Sequence, residues 1–167
     1  MSENHTDGSA VAPAELAAWL RTGRVFTVLD VRDRDEFEAW HVDTPDGEVV
    51  QIPHQRFVAA RATGTTDDLV PDGSEPILTV CAVGRASAEV AEQLRETGVD
   101  ARNLAGGMDA WAREYEAVEL PVADGTVRQY HRSSSGCLGY LLVSGDEAAV
   151  IDPLRVFADR YAADAAD

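Results

Sequence analysis

Lysine is absent from this chain of 167 residues, and all fourteen of its basic residues are arginine. Thirty aspartates and glutamates oppose them, so the formal net charge is −16 at pH 7. An acidic surface of this kind repels nucleic acid and anionic membranes, and we expect neither as a partner. A generally acidic protein could have this composition. The missing lysine together with abundant Asp, Glu and Ala favours adaptation to a very salty cytoplasm, where salt screens the self-repulsion.

Long apolar runs are missing as well. None approaches the ~20 residues that a membrane-spanning helix needs. The N-terminal stretch MSENHTDGSAVAPAE lacks the basic and apolar segments of a signal peptide. We therefore expect a soluble, cytoplasmic protein.

Cysteine is scarce, since only Cys81 and Cys137 occur. A reducing cytosol argues against a disulfide between them. The four histidines are scattered, and no Cys or His pair has the spacing of metal ligands. We expect no metal site formed by this chain alone, and no cofactor.

The residue pattern divides the chain into four parts. Residues 1–12 are small and polar and indicate a flexible tail. Residues 13–116 alternate apolar strand patterns with amphipathic helix patterns, which predicts an α/β fold with a parallel sheet flanked by helices. Residues 117–123 have the composition of a linker. Residues 124–167 contain short strands joined by tight turns and then a helix, typical of a β-hairpin or meander.

The last part is too small to bury both faces of a sheet by itself. We interpret residues 124–167 as the opening of a second domain whose remainder is absent. The alternative is a C-terminal extension that packs on the first domain.

The stretch VCAVGRAS places Cys81 where an apolar strand ends and a helix begins. In a parallel sheet, functional loops lie at this end of the strands. Successive N–H groups of the loop can surround the sulfur and favour a thiolate, a persulfide or a bound oxyanion. Gly84 permits the positive φ of such a curl, Arg85 supplies a cation, and Ser87 can cap the helix or donate to the sulfur. The remaining loop positions are Ala82, Val83 and Ala86.

A lone cysteine at a strand end is more often an inert buried residue than a nucleophile. The glycine, the arginine and the serine around Cys81 favour the nucleophile. A cysteine phosphatase would need an arginine six positions after the cysteine, where this chain has Ser87. That spacing argues against a phosphatase.

Three motifs in the right order resemble the single-domain rhodanese-type sulfurtransferases. They are VLDVRDRDEFEAWH (28–41), CAVGRAS (81–87) and NLAGGMDAW (103–111). The resemblance implies a five-stranded parallel sheet. It also implies that Cys81 takes sulfane sulfur from a donor such as thiosulfate, becomes a persulfide, and passes the sulfur to a thiol or to cyanide.

The same resemblance assigns supporting roles to other residues of the motifs. Asp30 and Arg32 would fix the loops around the site by charge-assisted hydrogen bonds. Glu36, Phe37 and His41 would order a helix and its exit rather than touch the substrate. The residues of the third motif would be structural, with Gly106 and Gly107 as turn formers and Trp111 in the core.

The C-terminal stretch resembles the first strands and helix of metallo-β-lactamase-fold hydrolases, and within them the persulfide dioxygenase-like group. The similar residues are Gly136, Cys137, Tyr140 and the run AAVIDP (148–153). The metal motif H-x-H-x-D-H of that family does not occur here, so its metal chemistry is not expected. We interpret Asp152 as a turn residue, His131 as a surface residue and Cys137 as a partly buried thiol.

Three functions follow from these patterns. The first is a sulfurtransferase that uses a Cys81 persulfide, with a small sulfur-donor anion and a thiol acceptor as partners. The second is a truncated rhodanese/metallo-β-lactamase fusion of persulfide oxidation, whose missing portion could be carried by a partner. The third is a non-catalytic interaction module with the same fold.

Overall fold

The computed structural model describes residues 8–73 and 75–166, and the chain divides into two compact units. The first unit ends at Trp111 and the second begins at Ala112. This division lies before residue 116, where the sequence placed the end of the first domain.

The first unit contains the predicted α/β fold. Its strands form one parallel sheet in the order β1-β5-β4-β2-β3. The strands are β1 (Ala10–Val11), β2 (Thr27–Asp30), β3 (Val49–Gln51), β4 (Ile77–Val80) and β5 (Ala101–Leu104). The helices are α1 (Pro13–Thr22), α2 (Arg34–Ala39), α3 (His54–Thr63), α4 (Arg85–Glu96) and α5 (Gly107–Trp111), with a 3-10 turn at Thr66–Leu69.

Two apolar clusters cover the two faces of this sheet. Neighbouring residues of β2 divide between them, since Val28 belongs to one cluster and Leu29 to the other. Such alternation is what a strand that is buried on both faces requires. One cluster contains Trp19 of α1 and Trp111, so Trp111 is a core residue as the sequence predicted. The other cluster contains side chains of α3 and α4.

The predicted flexible tail is wrong for its last residues. Ala10 and Val11 form β1, which pairs in parallel with Asn103 and Leu104 of β5, and Val11 is fully buried. Two residues are too few to show the alternation that identifies a strand in a sequence. The expectation for residues 1–7 lies outside the described residues.

The expected linker at 117–123 is also wrong, because most of it is a strand. β6 (Glu116–Leu120) pairs antiparallel with β7 (Thr126–Arg132). β6 lies at the edge of its sheet and its middle residues are exposed. Its sequence therefore shows no apolar face from which a strand could be predicted. The last helix of the first unit ends at Trp111, and the residues that follow lead into this strand.

The second unit confirms the predicted meander. β6, β7, β8 (Cys137–Ser144) and β9 (Glu147–Ile151) form an antiparallel sheet in chain order. A 3-10 turn at Arg155–Phe157 leads into α6 (Ala158–Asp164). Asp152 has a φ of 48° directly after β9, as fits a turn residue. The core of this unit consists of Tyr130, Leu141, Phe157 and Tyr161.

A buried carboxylate ties α6 to the sheet of the second unit. Asp164 accepts hydrogen bonds from the Tyr130 hydroxyl (2.6 Å) and from Arg160 Nε (2.8 Å), and it forms an ion pair with Arg128 (3.0 Å). Burial acts to raise the pKa of Asp164, but these three donors outweigh it, so the pKa lies below its ordinary value. Burial and the bond to Asp164 raise the pKa of Tyr130 to about 12, which keeps the hydroxyl a donor.

We expect acid to destabilise the second unit through Asp164. A carboxyl with a lowered folded pKa contributes stability above its unfolded pKa of about 4, and this contribution is lost as the pH falls through the folded value. All four tyrosines belong to this unit and all three tryptophans to the first, so the two can be followed separately. Urea unfolding followed by tyrosine near-UV circular dichroism should show a midpoint that falls between pH 6 and pH 3.

The Asp164→Asn variant provides the control for this expectation. It should unfold at lower urea at pH 6, and its tyrosine midpoint should depend less on pH than that of the wild type. Equal pH dependence in the two proteins would contradict a role for Asp164.

Candidate active site

Cys81 follows β4 directly and lies at the start of the loop that enters α4. The residue is buried, with 5% of its surface exposed. Gly84 is the N-cap of α4 and has a φ of 86°, the left-handed conformation that the sequence predicted for this position. A side chain here would also collide with the neighbouring loop, because a Cβ would lie 2.8 Å from the Gly106 nitrogen.

Three hydrogen-bond donors point at the Cys81 sulfur. The N–H of Gly84 is 3.1 Å from Sγ, the N–H of Ser87 is 3.3 Å away, and the Ser87 hydroxyl is 3.2 Å away. Ser87 therefore donates to the sulfur, and Gly84 rather than Ser87 occupies the N-cap. Donors fixed around one sulfur stabilise negative charge on it, whether the charge belongs to a thiolate or to a persulfide.

A pocket of about 250 Å³ opens beside the sulfur. The loop contributes Cys81, Ala82, Val83, Arg85 and Ala86 to its lining. Arg85 is exposed, and it supplies a cation for an anionic ligand. The other walls come from the segments that follow β2 and β3, namely Val31, Arg32, Asp33, Glu36, His54 and Gln55.

Two of these residues, Glu36 and His54, were not expected to line the pocket. Glu36 was expected only to order its helix, yet it lines the pocket. His54 lies outside the three motifs, although it begins α3 three residues after the end of β3. The signal for His54 was available, because the residues that follow parallel strands meet at the same edge of the sheet.

The Gly-Gly turn of the third motif packs against the cysteine loop, and the residues after it are hydrogen-bonded to that loop. The N–H of Met108 donates to the Cys81 carbonyl (2.9 Å), and the N–H of Asp109 donates to the Ala82 carbonyl (3.0 Å). Gly107, with a φ of 59°, allows this approach, since a Cβ there would overlap the Cys81 carbonyl oxygen and lie 2.7 Å from that of Ala82. The turn therefore fixes the backbone from which the cysteine projects.

Asp30 and Arg32 form a buried pair beside the pocket. Arg32 donates from Nε to both carboxylate oxygens (3.0 and 3.1 Å) and from Nη2 to Oδ2 (2.6 Å). Nη2 also donates to the Trp40 carbonyl (2.8 Å), and the Gln51 amide donates to the Arg32 carbonyl (2.7 Å). The pair thus joins the end of β2 to the end of α2 and to β3. The Arg32 guanidinium is hydrogen-bonded to Asp30. Arg85 is therefore the cation of the pocket that is more available to bind an anion.

The exit of α2 is ordered by an aromatic pair. The ring of His41 stacks on Phe37 with centroids 4.3 Å apart, and its Nδ1 lies 2.9 Å from the Phe37 carbonyl oxygen.

The second unit offers less chemistry. Cys137 is exposed, so the expectation of a partly buried thiol is wrong, and His131 is partly buried rather than fully on the surface. Within residues 8–73 and 75–166, no cluster of three or more His, Cys, Asp or Glu side chains could hold a metal ion. Among those same residues, no helix has both the length and the apolar character to cross a membrane.

Comparison with known proteins identifies a family for most of the first unit. The family model described as "Rhodanese-like domain" matches residues 12–114. Over 105 residues the chain is 32% identical to the adenylyltransferase and sulfurtransferase uba4 of Pyricularia oryzae, which covers 54% of this chain and 21% of that protein. Over 110 residues it is 31% identical to the probable adenylyltransferase/sulfurtransferase MoeZ of Mycobacterium tuberculosis, covering 65% of this chain and 26% of that protein.

The chain thus spans only about a quarter or less of the length of these curated relatives. Among solved structures, a rhodanese-like domain protein from Staphylococcus aureus is 27% identical, with a TM-score of 0.47. That match covers 62% of this chain and 90% of the other.

Proposed function

This chain belongs to the rhodanese-like domain family, and on that premise we propose that it is a sulfurtransferase that carries sulfane sulfur on Cys81. The donor is thiosulfate or a persulfide, and the acceptor is a thiol. The observation that carries this proposal is the convergence of three donors on the Cys81 sulfur, at distances of 3.1 to 3.3 Å.

The first half-reaction loads the cysteine. The Cys81 thiolate attacks the sulfane sulfur of thiosulfate, a new S–S bond forms, and sulfite leaves with the electron pair of the broken bond. Arg85, at the pocket wall, provides a cation that favours the approach of the dianion. The loop N–H groups hold negative charge on the sulfur before and after the transfer.

Intact-mass spectrometry tests this proposal directly. Incubation with thiosulfate, or with sodium polysulfide as a persulfide-type donor, should add one sulfur atom of about 32 Da, which dithiothreitol then removes. Absence of this adduct with every donor, across a range of salt concentrations, would favour the non-catalytic interaction module instead. Peptide mapping should place the adduct on Cys81.

For the second unit we propose the metallo-β-lactamase type of fold. Support comes from its antiparallel sheet followed by a helix, together with the residues of the C-terminal stretch that resemble this family. The persulfide-oxidising fusion is the corresponding alternative function for the whole protein. The genomic DNA after codon 167 provides the test. A following frame that encodes H-x-H-x-D-H supports the fusion or a partner that carries this portion, and any other sequence contradicts it.

The charge supports a further proposal, that the protein works in a very salty cytoplasm. A net charge of −16 repels itself at low ionic strength, whereas the Debye length of roughly 3 Å at 1 M salt screens the repulsion. We expect the melting temperature to be lower in 20 mM KCl than in 2 M KCl by at least about 5 °C, the effect of about 1 kcal/mol in a small domain. Circular dichroism melts check this, and equal melting temperatures would contradict it.

A further inference from the structure

His54 lies at the wall of the cysteine pocket and pairs with Glu89, and neither the motifs nor the proposed reaction uses this pair. We propose that His54, oriented by Glu89, relays the proton of the acceptor thiol during transfer of sulfur from the Cys81 persulfide. This inference rests on the proposed function and adds a catalytic residue to its second half-reaction.

The backbone holds His54 at the edge of the sheet where the cysteine lies. Its N–H donates to the Val31 carbonyl (2.9 Å), so the start of α3 is anchored to the end of β2. The side chain is 28% exposed and lines the same pocket as Cys81. A residue fixed at its backbone and open to the pocket can meet a ligand there without a large rearrangement.

Glu89 determines which ring nitrogen of His54 is available. Its carboxylate lies 3.3 Å from Nε2 and comes from α4, one turn after the cysteine loop. A carboxylate at Nε2 favours a proton on that nitrogen and leaves the Nδ1 lone pair to accept another proton. This is the arrangement of a histidine base with an orienting acid. The other charged groups along the pocket are Arg32, Asp33, Glu36 and Arg85.

The second half-reaction needs such a relay when the acceptor is a thiol. The acceptor R–SH gives its proton to His54, and its sulfur attacks the outer sulfur of the persulfide. The bond between Cys81 Sγ and the outer sulfur breaks, and the electron pair stays on Sγ as a thiolate. His54 returns the proton to the product, so Cys81–S–S⁻ and R–SH become Cys81–S⁻ and R–S–SH.

Cyanide makes no such demand in the pocket, because hydrogen cyanide loses its proton to the solvent and reacts as the free anion. The anion attacks the same outer sulfur, and Cys81–S–S⁻ and CN⁻ become Cys81–S⁻ and SCN⁻ with no proton moved in the pocket. A loss of rate with the thiol but not with cyanide therefore indicates a proton relay. A role of His54 in folding, in loading or in holding the persulfide would slow both reactions.

Single-turnover transfer from the loaded full chain tests the inference. Wild type and His54→Gln are loaded with thiosulfate or sodium polysulfide, desalted, and mixed with dithiothreitol or with cyanide. We expect His54→Gln to slow sulfide release to dithiothreitol by at least about tenfold, the lower end of general acid–base effects, and to change thiocyanate formation by less than about twofold. Glu89→Gln should slow the thiol reaction alone, and by a smaller factor.

The same substitution at His131, in the second unit, is the matched control and should leave both rates unchanged. Equal losses with both acceptors, or no loss with dithiothreitol, would overturn the role of His54 while leaving the persulfide chemistry intact. A wild-type protein that accepts sulfur from neither donor would instead overturn the proposed function.

Discussion

Replacing Cys81 with serine should abolish sulfur transfer, lowering thiocyanate formation from thiosulfate by about a thousandfold or more, as removal of a nucleophile does in other enzymes. A serine hydroxyl fits the space and the three hydrogen bonds around Sγ. It is not ionised at neutral pH, and it cannot form a persulfide. The fold should survive, because the substitution keeps the size of a buried side chain.

The exposed thiol of the second unit provides the control for this prediction. Cys137→Ser removes the other cysteine of the chain and should retain full activity and the sulfur adduct. Intact-mass spectrometry and the thiocyanate assay, run on both variants, distinguish the two thiols. Transfer retained in Cys81→Ser, or lost in Cys137→Ser, would refute the assignment of the nucleophile.

Gly107→Ala is expected to have the second largest effect, because it acts on the backbone that supports the cysteine. A methyl group at this position would overlap the Cys81 carbonyl oxygen and press on Ala82, and the residue would keep its positive φ. We expect a loss of about 3 kcal/mol in the free energy of unfolding, from overpacking and backbone strain together. The rate of persulfide formation should fall as well, because the loop that directs N–H groups at Sγ must move.

Gly64→Ala separates strain from overlap. Gly64 ends α3 with a φ of 70°, close to that of Gly107, but a Cβ there meets no atom within 4 Å. It should cost only about 1 kcal/mol of backbone strain and leave the loading rate unchanged. Urea unfolding followed by tryptophan fluorescence, which reports the first unit, measures both variants. Equal losses in the free energy of unfolding for the two variants would show that the contact between Gly107 and the cysteine loop does not contribute to stability.

The α/β class was predictable because its signals are local. β2 and β4 are buried on both faces and therefore appear in the sequence as short continuous apolar runs. The helices α1 and α3 are followed by Gly23 and Gly64, which adopt the left-handed conformation that stops a helix. The left-handed Gly84 was predictable for the same reason, since glycine alone takes that conformation at little cost.

The elements that the sequence did not reveal depend on a partner strand. β1 is too short to show alternation, and it exists because Ala10 and Val11 pair with β5. β6 has exposed residues along most of its length, and its pairing with β7 makes it a strand. In both cases backbone hydrogen bonds to a distant segment determine the structure, and the side-chain pattern of the strand does not indicate them.

The candidate site divides in the same way. The sequence by itself determined the candidate nucleophile, the glycine of its loop and the nearby cation, because Cys81, Gly84 and Arg85 lie within one short segment with its own chemistry. Only the tertiary structure placed Gly107 against the Cys81 carbonyl and His54 beside Glu89 at the pocket wall. Those contacts join residues far apart in the chain. They arise because parallel strands bring their carboxyl ends to one edge of the sheet.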